Sequence, residues 1–153
     1  DVARLRTRMD ELSSAGEGKL FLVGRRQLRS NNSWCHNSPR LVKGKDRCTL
    51  IMHPEDARER ALARGERVRI RSRVGEVVAP LEISDEIMRG VVSLPHGFGH
   101  DREGTRWRVA EAHAGVSLND LTDDAFLDAL AGTASFSGVP VEVERAPSAE
   151  AAE

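Results

Sequence analysis

The chain has 153 residues, of which 39% are hydrophobic and 31% are charged, and its formal net charge is −1 at pH 7. This length supports one domain with its own core and is short for two. Residues 1–50 carry 11 Lys and Arg against 5 Asp and Glu, whereas residues 101–153 carry 4 against 11. That asymmetry argues against a general polyanion binder and favours local positive charge directed at one anionic group.

Hydrophobic periodicity predicts short elements throughout the chain. Residues 2–12 have the spacing of an amphipathic helix, and a linker follows to residue 18. A helix is predicted at about 55–63, and "RWRVAEA" (106–112) is a weaker strand candidate. Residues 146–153 have too little apolar content to pack and are expected to be disordered. Apolar runs predict strands at 20–24, 48–52, 67–72, 76–83, 91–95 and 140–144.

Six short strands with few helices favour a compact β-barrel or sandwich over a doubly wound sheet. The alternation in "RVRIRS" (67–72) predicts that Val68 and Ile70 are buried, with Arg67, Arg69 and Arg71 directed outward. No apolar run reaches the roughly 18 residues of a membrane span, and the start is unlike a signal peptide. We therefore expect a cytoplasmic location. The chain begins with Asp1 and not Met, as a fragment of a longer protein would.

Several motifs occur in an order that resembles a known family. They are "LVGRRQLRSNNSWCHN" (22–37), "HPEDA" (53–57), "RVRIRSRVGEVVAPLEISDEIMRGVVSLPHGFGH" (67–100), "GVSLNDLT" (115–122) and "SGVPVEV" (137–143). Together they resemble the C-terminal molybdopterin-dinucleotide-binding domain of the molybdenum and tungsten oxidoreductases, a family that includes dimethyl sulfoxide reductase, formate dehydrogenases and nitrate reductases. The resemblance covers about residues 19–144.

The resemblance implies a mainly β fold, a six-stranded double-psi β-barrel over residues 19–145. It also implies a molybdopterin guanine dinucleotide cofactor, whose metal is ligated by a side chain of another domain. The expected partners are the remaining catalytic domains of the same enzyme, with iron–sulfur subunits as further candidates. General similarity favours a formate dehydrogenase-like enzyme first and a nitrate reductase-like enzyme next. On its own, the domain is expected to bind cofactor and not to catalyse.

The polar loop after the first strand has the chemistry that a dinucleotide needs. Arginines offer forked donors to phosphate, Ser and Asn carry donors and acceptors for ring edges, and Trp34 offers a flat surface. Gly24 would let the backbone approach a ligand closely. The resemblance adds a glycine-rich turn, "PHGFGH" (95–100), and an asparagine segment, "SLNDLT" (117–122), that lie beside the cofactor. The candidate cofactor-binding residues are Gly24, Arg25, Arg26, Arg29, Ser30, Asn31, Asn32, Ser33, Trp34, His36, Asn37, His96, Gly97 and Asn119.

Other interpretations remain open for the same residues. The loop arginines could simply be solvated and paired with the acidic C-terminal third. Cys35 and the spacing of His96 and His100 suggest zinc only weakly, because neither fits a known ligand pattern, and we expect no protein-bound metal. Thr122 could cap a helix over "DDAFLDAL" (123–130).

A free-standing small β-barrel that binds nucleic acid or a protein partner is the alternative function. The chain has no tyrosine, and single-stranded nucleic acids are usually held on aromatic platforms. We therefore expect neither a nucleic-acid partner nor a membrane partner.

Overall fold

A computed structural model of the protein describes residues 2–3, 6–7, 20–125, 127, 131–134 and 136–147. The strands close into a barrel in the order β1-β5-β2-β4-β3-β6. Strand β1 runs parallel to β5 and β2 parallel to β4, and the other four pairings are antiparallel. The predicted six-stranded double-psi β-barrel is confirmed. The strands are β1 (Leu20–Arg25), β2 (Leu50–Met52), β3 (Arg67–Arg71), β4 (Glu76–Ile83), β5 (Val91–Pro95) and β6 (Val139–Arg145).

The core fills the barrel with aliphatic side chains from all six strands. Val68 and Ile70 are fully buried, while Arg67 and Arg71 are exposed and Arg69 is half-buried against Glu144, as the alternation of β3 predicts. The largest fully buried side chains include Leu20, Leu22, Leu50, Met52, Ile70 and Leu94. Because closure removes free strand edges, every strand is paired on both sides and the loops carry the remaining functional groups.

The helices are short: α1 (Pro39–Val42), α2 (Pro54–Glu59), α3 (Arg108–Glu111) and a 3₁₀ turn at Leu118–Asp120. Helix α2 ends before the predicted residue 63, because Ala61 adopts a left-handed backbone with φ of 53°. Strand β2 begins at residue 50 and not 48, since the N–H of Cys48 donates to the Asp46 carboxylate instead of a neighbouring strand.

The predicted strand at 106–112 is wrong, because that segment contains α3. The closed barrel offers no free edge to a further strand. The segment is held instead by Asn37, whose side-chain oxygen accepts hydrogen bonds from the N–H groups of Val109 (3.1 Å) and Ala110 (3.4 Å) at the start of the helix. These bonds satisfy two N–H groups that a helix start leaves without partners.

Both ends of the chain are only partly described. Residues 2–3 and 6–7 are helical, and the rest of the helix and linker predicted over 1–18 lies outside the described residues, as does the predicted tail beyond residue 147. The predicted helix over 123–130 lies partly outside them as well, and its described part is not helical: residues 124–125 lie in a turn, and Leu127 pairs with Ala134 in an isolated antiparallel β-bridge. Within the described part of the chain, no helix has the length and apolar composition that crossing a membrane requires.

Candidate functional site

Two loops leave the same end of the barrel because β1 and β5 are parallel neighbours. Gly24 lies opposite Leu94 and Arg25 opposite Pro95, and the N–H of His96 donates to the Arg25 carbonyl at 3.0 Å. The polar loop after β1 and the glycine-rich turn after β5 therefore begin side by side. This register brings together two sequence motifs that are about seventy residues apart.

The space beside Gly24 is occupied by a protein side chain and is not open to a ligand. A Cβ atom on Gly24 would overlap the imidazole ring of His96, which lies directly over the glycine. Burial, and then the nearby charge of Arg26, lower the pKa of His96, so the ring that fills this space is held neutral at pH 7. Gly24 thus leaves the space in which His96, a candidate site residue directly after β5, is positioned.

The polar loop folds on itself in tight turns. Asn31 and Asn32 both have left-handed backbones, with φ of 42° and 66°, a conformation that asparagine tolerates better than most residues. Ser30 is buried, and its hydroxyl donates to the carbonyl of Gln27 at 3.1 Å. The run of Ser and Asn in the sequence therefore shapes the loop as well as supplying polar groups.

A cavity of about 480 Å³ opens between the polar loop, the glycine-rich turn and the 3₁₀ turn, and we call it the Asn119 cavity. It collects six of the candidate residues from three separate segments: Arg26, Asn32, Ser33, His96, Gly97 and Asn119. Its remaining lining residues are Phe98, His100, Ser117, Leu118 and Phe136. Phe98 and His100 lie in the "PHGFGH" motif, whereas nothing in the sequence singles out Phe136.

Gly97 allows two segments that line this cavity to contact each other closely. Its φ is 86°, and an added Cβ would overlap the backbone carbonyl of Asn32. Gly99 has a similar role two residues later, where a Cβ would lie 2.7 Å from that of Ser117. The two glycines allow the three segments to touch through their backbones, which leaves their side chains free to line the cavity.

Among the lining residues of the Asn119 cavity named above, Arg26 carries the positive charge. It is exposed, and its guanidinium donates to the side-chain oxygen of Asn32, which orients it along the wall. No described acidic side chain lies within ion-pair distance of Arg25, Arg26 or Arg29. Pairing of these arginines with the acidic C-terminal third is therefore not seen within the described residues. Arg26 has donors left for a ligand.

Asn119 faces the cavity from the 3₁₀ turn, anchored there by the buried neighbour Leu118. Thr122 caps no helix among the described residues that follow it, and its hydroxyl donates back to the Asn119 carbonyl at 3.0 Å. Asp123 accepts from the N–H of Ala125 at 2.9 Å and also pairs with Arg73. This hydrogen-bonded turn holds the backbone of Asn119, a residue that lines the cavity.

A second cavity of about 350 Å³, the Lys45 cavity, lies on the other side of the polar loop. Three further candidate cofactor-binding residues line it: Arg29, Ser30 and His36. His36 is buried, with its Nδ1 at 2.6 Å from the Nε2 of His100 and its ring centroid 4.4 Å from that of Phe98. His36 lines the Lys45 cavity while His100 lines the Asn119 cavity, so the two imidazoles form part of the wall between them.

Arg25 is turned toward the protein. Its guanidinium donates to the carbonyls of Ser93 (2.5 Å) and Thr49 (2.7 Å) and to the Thr49 hydroxyl (3.0 Å), which in turn donates to Glu82 at 2.8 Å. Burial lowers the pKa of Arg25, against the opposing effect of Glu82. Arg25 braces β1 against β5 and the start of β2. A direct role toward a ligand stays a prediction.

Three other candidates lie away from both cavities. Trp34 is 83% exposed and covers nothing within the described part of the chain. Asn31 is exposed in the turn, and Asn37 caps α3 through its side-chain oxygen. Among the described residues, no group of three or more His, Cys, Asp or Glu side chains is placed to hold a metal ion.

Cys48 should be chemically inert in the folded protein. Burial raises the pKa of its thiol to about 11, and the sulfur accepts the N–H of Val116 at 3.3 Å. Since the thiolate is the nucleophile, at pH 8 we expect iodoacetamide to modify Cys48 at least about 100-fold more slowly than in the urea-unfolded protein. Peptide mass spectrometry measures both rates. Equal rates would show that the thiol is accessible and ionised.

The family model described as the molydopterin dinucleotide binding domain matches residues 20–140. The chain belongs to this family. As a molydopterin dinucleotide binding domain, it is 31% identical over 124 residues to a tetrathionate reductase subunit of Salmonella typhimurium, an alignment that covers 70% of the chain and 12% of that protein. It is 33% identical over 60 residues to the dimethyl sulfoxide/trimethylamine N-oxide reductase of Rhodobacter capsulatus, covering 39% of the chain and 7% of that protein.

A solved structure with the same fold is the acetylene hydratase from Pelobacter acetylenicus. It superimposes with a TM-score of 0.68 at 22% identity, over 86% of this chain and 19% of that one. The molydopterin dinucleotide binding domain therefore corresponds to a small part of much larger proteins, and it spans 12% of the length of the tetrathionate reductase relative.

The residues of the Asn119 cavity fit the cofactor of this family, a molybdopterin dinucleotide. The guanidinium of Arg26 suits phosphate oxygens, and the amides of Asn32 and Asn119 suit the edges of heterocyclic rings. Phe136 is 57% exposed at the cavity and offers a flat face to a ring. The domain thus presents the three kinds of group that a dinucleotide requires.

Proposed function

We propose that this chain is the domain of a larger molybdenum-dependent oxidoreductase that holds a molybdopterin guanine dinucleotide along the Asn119 cavity. One observation carries the proposal. Three segments distant in sequence, 26–33, 96–100 and 117–119, contribute a guanidinium, two amides and glycine backbone to the same cavity. Such convergence of polar groups on one concavity is characteristic of a ligand site and not of a solvated loop.

Each lining residue has a distinct task in this proposal. Arg26 neutralises phosphate charge with forked donors, while Asn32 and Asn119 orient a heterocycle through its edge. His96, held neutral, offers one donor and one acceptor without adding charge. The bound cofactor supplies the redox chemistry, and the domain contributes binding, orientation and electrostatics.

The reaction of the whole enzyme is a further element of the proposal. We propose formate oxidation first and nitrate reduction next, in a cytoplasmic enzyme with other catalytic domains and iron–sulfur subunits as partners. Some relatives are named for tetrathionate, dimethyl sulfoxide and biotin sulfoxide. Purified full-length enzyme should therefore be assayed with formate, nitrate, tetrathionate and the sulfoxides side by side. Activity confined to the last two classes would contradict the formate and nitrate assignments.

In the full-length enzyme, Arg26→Ala should lower bound dinucleotide about tenfold or more. The physical reason is the loss of a charge-assisted hydrogen bond to phosphate, worth roughly 1.5–3 kcal/mol. Cofactor content is measured by the fluorescence of the pterin after oxidative release. Arg26→Lys separates charge from fork geometry, because lysine keeps only the charge.

Arg58→Ala is the matched control, since Arg58 is an exposed arginine of α2 that lines neither cavity. Full cofactor loading of the Arg26→Ala enzyme, equal to that of the control, would contradict the proposed site.

A further inference from the structure

The Lys45 cavity carries an excess of positive charge that the proposed function does not use. Its charged lining residues are the cations Arg29, Lys45 and Arg47 and the carboxylate of Asp46. That carboxylate is already engaged, because its Oδ1 accepts the N–H of Cys48 at 2.9 Å. Because three cations face one carboxylate, the lining of the cavity carries an excess of positive charge.

Two of these cations donate hydrogen bonds to the same backbone carbonyl, which brings them close together. Both Arg29 and Arg47 donate to the carbonyl oxygen of Lys43, each at 3.2 Å. Two guanidinium groups that share an acceptor repel each other, and an anion beside them would relieve that repulsion. Each guanidinium has further N–H donors beyond this one bond.

His36, which lines the same cavity, carries a buried ring nitrogen without a hydrogen-bond partner in the described part of the chain. The Nε2 of His100 lies 2.6 Å from the Nδ1 of His36 and 2.8 Å from the carbonyl of Gly97. One ring nitrogen can serve both contacts only as a donor, so the Nδ1 of His36 accepts. Neutral His36 then carries its proton on Nε2, an atom that is buried and has no hydrogen-bond partner in the described part of the chain.

The neutral state of His36 follows from its surroundings. The side chain is 3% exposed, and burial, followed by the neighbouring His100, lowers its pKa to about 4. An N–H group without a partner in such a place is costly, and protein interiors rarely leave one unsatisfied. The apolar neighbours Leu41, Val42 and Phe98 give the cavity a partly dry wall, against which a polar ligand group is held more strongly.

We propose that the Lys45 cavity is a second anion site, separate from the Asn119 cavity, that takes a phosphoryl-type oxyanion between the His36 N–H and the cations at its rim. Two sources carry this chemistry: a free inorganic oxyanion, or a phosphate group of the bound dinucleotide. The site goes beyond the proposed function, because it depends on residues that do not line the Asn119 cavity.

The test uses full-length protein in its cofactor-free form, titrated with inorganic phosphate at constant ionic strength maintained with chloride. Calorimetry should show saturable phosphate binding, and the Nε2–H resonance of His36 in ¹⁵N-histidine-labelled protein should shift with the same midpoint. Lys45→Ala and Arg47→Ala should each weaken binding about tenfold or more, and Lys45→Glu should abolish it.

Two controls separate this site from its neighbour. Arg58→Ala should leave phosphate binding unchanged, and Arg26→Ala should leave it unchanged while lowering dinucleotide content. The proposal is overturned if phosphate does not bind saturably, if the Lys45 and Arg47 variants bind it like wild type, or if Arg26→Ala alone removes it. Failure of the dinucleotide assignment would leave the phosphate titration unaffected, so the two outcomes are distinguishable.

Loading with cofactor identifies the source of the anion. If the loaded protein no longer binds phosphate and Lys45→Ala lowers dinucleotide content, the oxyanion is a phosphate group of the cofactor. If the loaded protein still binds phosphate with unchanged affinity, the oxyanion is a free ion. Either result supports the site.

Discussion

Replacing Gly97 with alanine is expected to remove most of the bound dinucleotide from the full-length enzyme without unfolding the barrel. The residue has φ of 86°, which costs a non-glycine residue roughly 1–2 kcal/mol, and the new Cβ would also overlap the backbone carbonyl of Asn32. Because a backbone carbonyl cannot rotate away as a side chain does, the polar loop must move off the glycine-rich turn. The Asn119 cavity then loses its shape, and dinucleotide content should fall more than tenfold.

Gly104→Ala is the matched control for this experiment. Gly104 has nearly the same backbone, with φ of 87°, and nothing lies within 4 Å of an added Cβ. It therefore carries the conformational cost without the overlap. Pterin fluorescence after oxidative release measures the cofactor in both variants, and hydrogen exchange of the barrel strands reports whether they remain folded. Equal losses in the two variants would show that backbone strain, and not the contact between loops, is responsible.

Arg25→Ala should destabilise the barrel even when no cofactor is bound. The change leaves the Ser93 and Thr49 carbonyls without the donors that the guanidinium supplies, at 2.5 and 2.7 Å. Each part-buried acceptor left unsatisfied costs roughly 1–3 kcal/mol, so we expect local stability to fall by about 3 kcal/mol. In hydrogen-exchange mass spectrometry of cofactor-free protein, peptides of β1, β2 and β5 should exchange about 100-fold faster.

Measuring the cofactor-free protein distinguishes a structural role of Arg25 from a role in binding the cofactor. A residue that only binds phosphate would leave exchange in the cofactor-free protein unchanged and alter the loaded protein alone. Arg58→Ala again serves as the control for removal of an exposed arginine. Unchanged exchange in cofactor-free Arg25→Ala protein would mean that its hydrogen bonds to Ser93 and Thr49 contribute little, and would favour a role for Arg25 toward the cofactor.

Local pattern was sufficient to predict the barrel strands. The alternation of β3 identifies Val68 and Ile70 as core residues, because successive side chains of a strand point to opposite faces. The same reasoning failed at 106–112, where a mixed pattern suggested a strand and α3 was found. There the outcome depended on a partner far away in sequence, the Asn37 side chain, and on a barrel that has no free edge.

By itself the sequence determined the strand positions, the family resemblance and the segments that carry polar groups. Only the tertiary structure decided which of those groups share a cavity. Arg25 and Arg26 are adjacent in the chain, yet one braces the protein while the other lines the Asn119 cavity. Likewise, the contact between His36 and His100 joins residues 64 positions apart. The physical reason is that side-chain direction at the end of a strand is set by the neighbouring strands and loops, whose identity follows from barrel closure and register and not from local sequence.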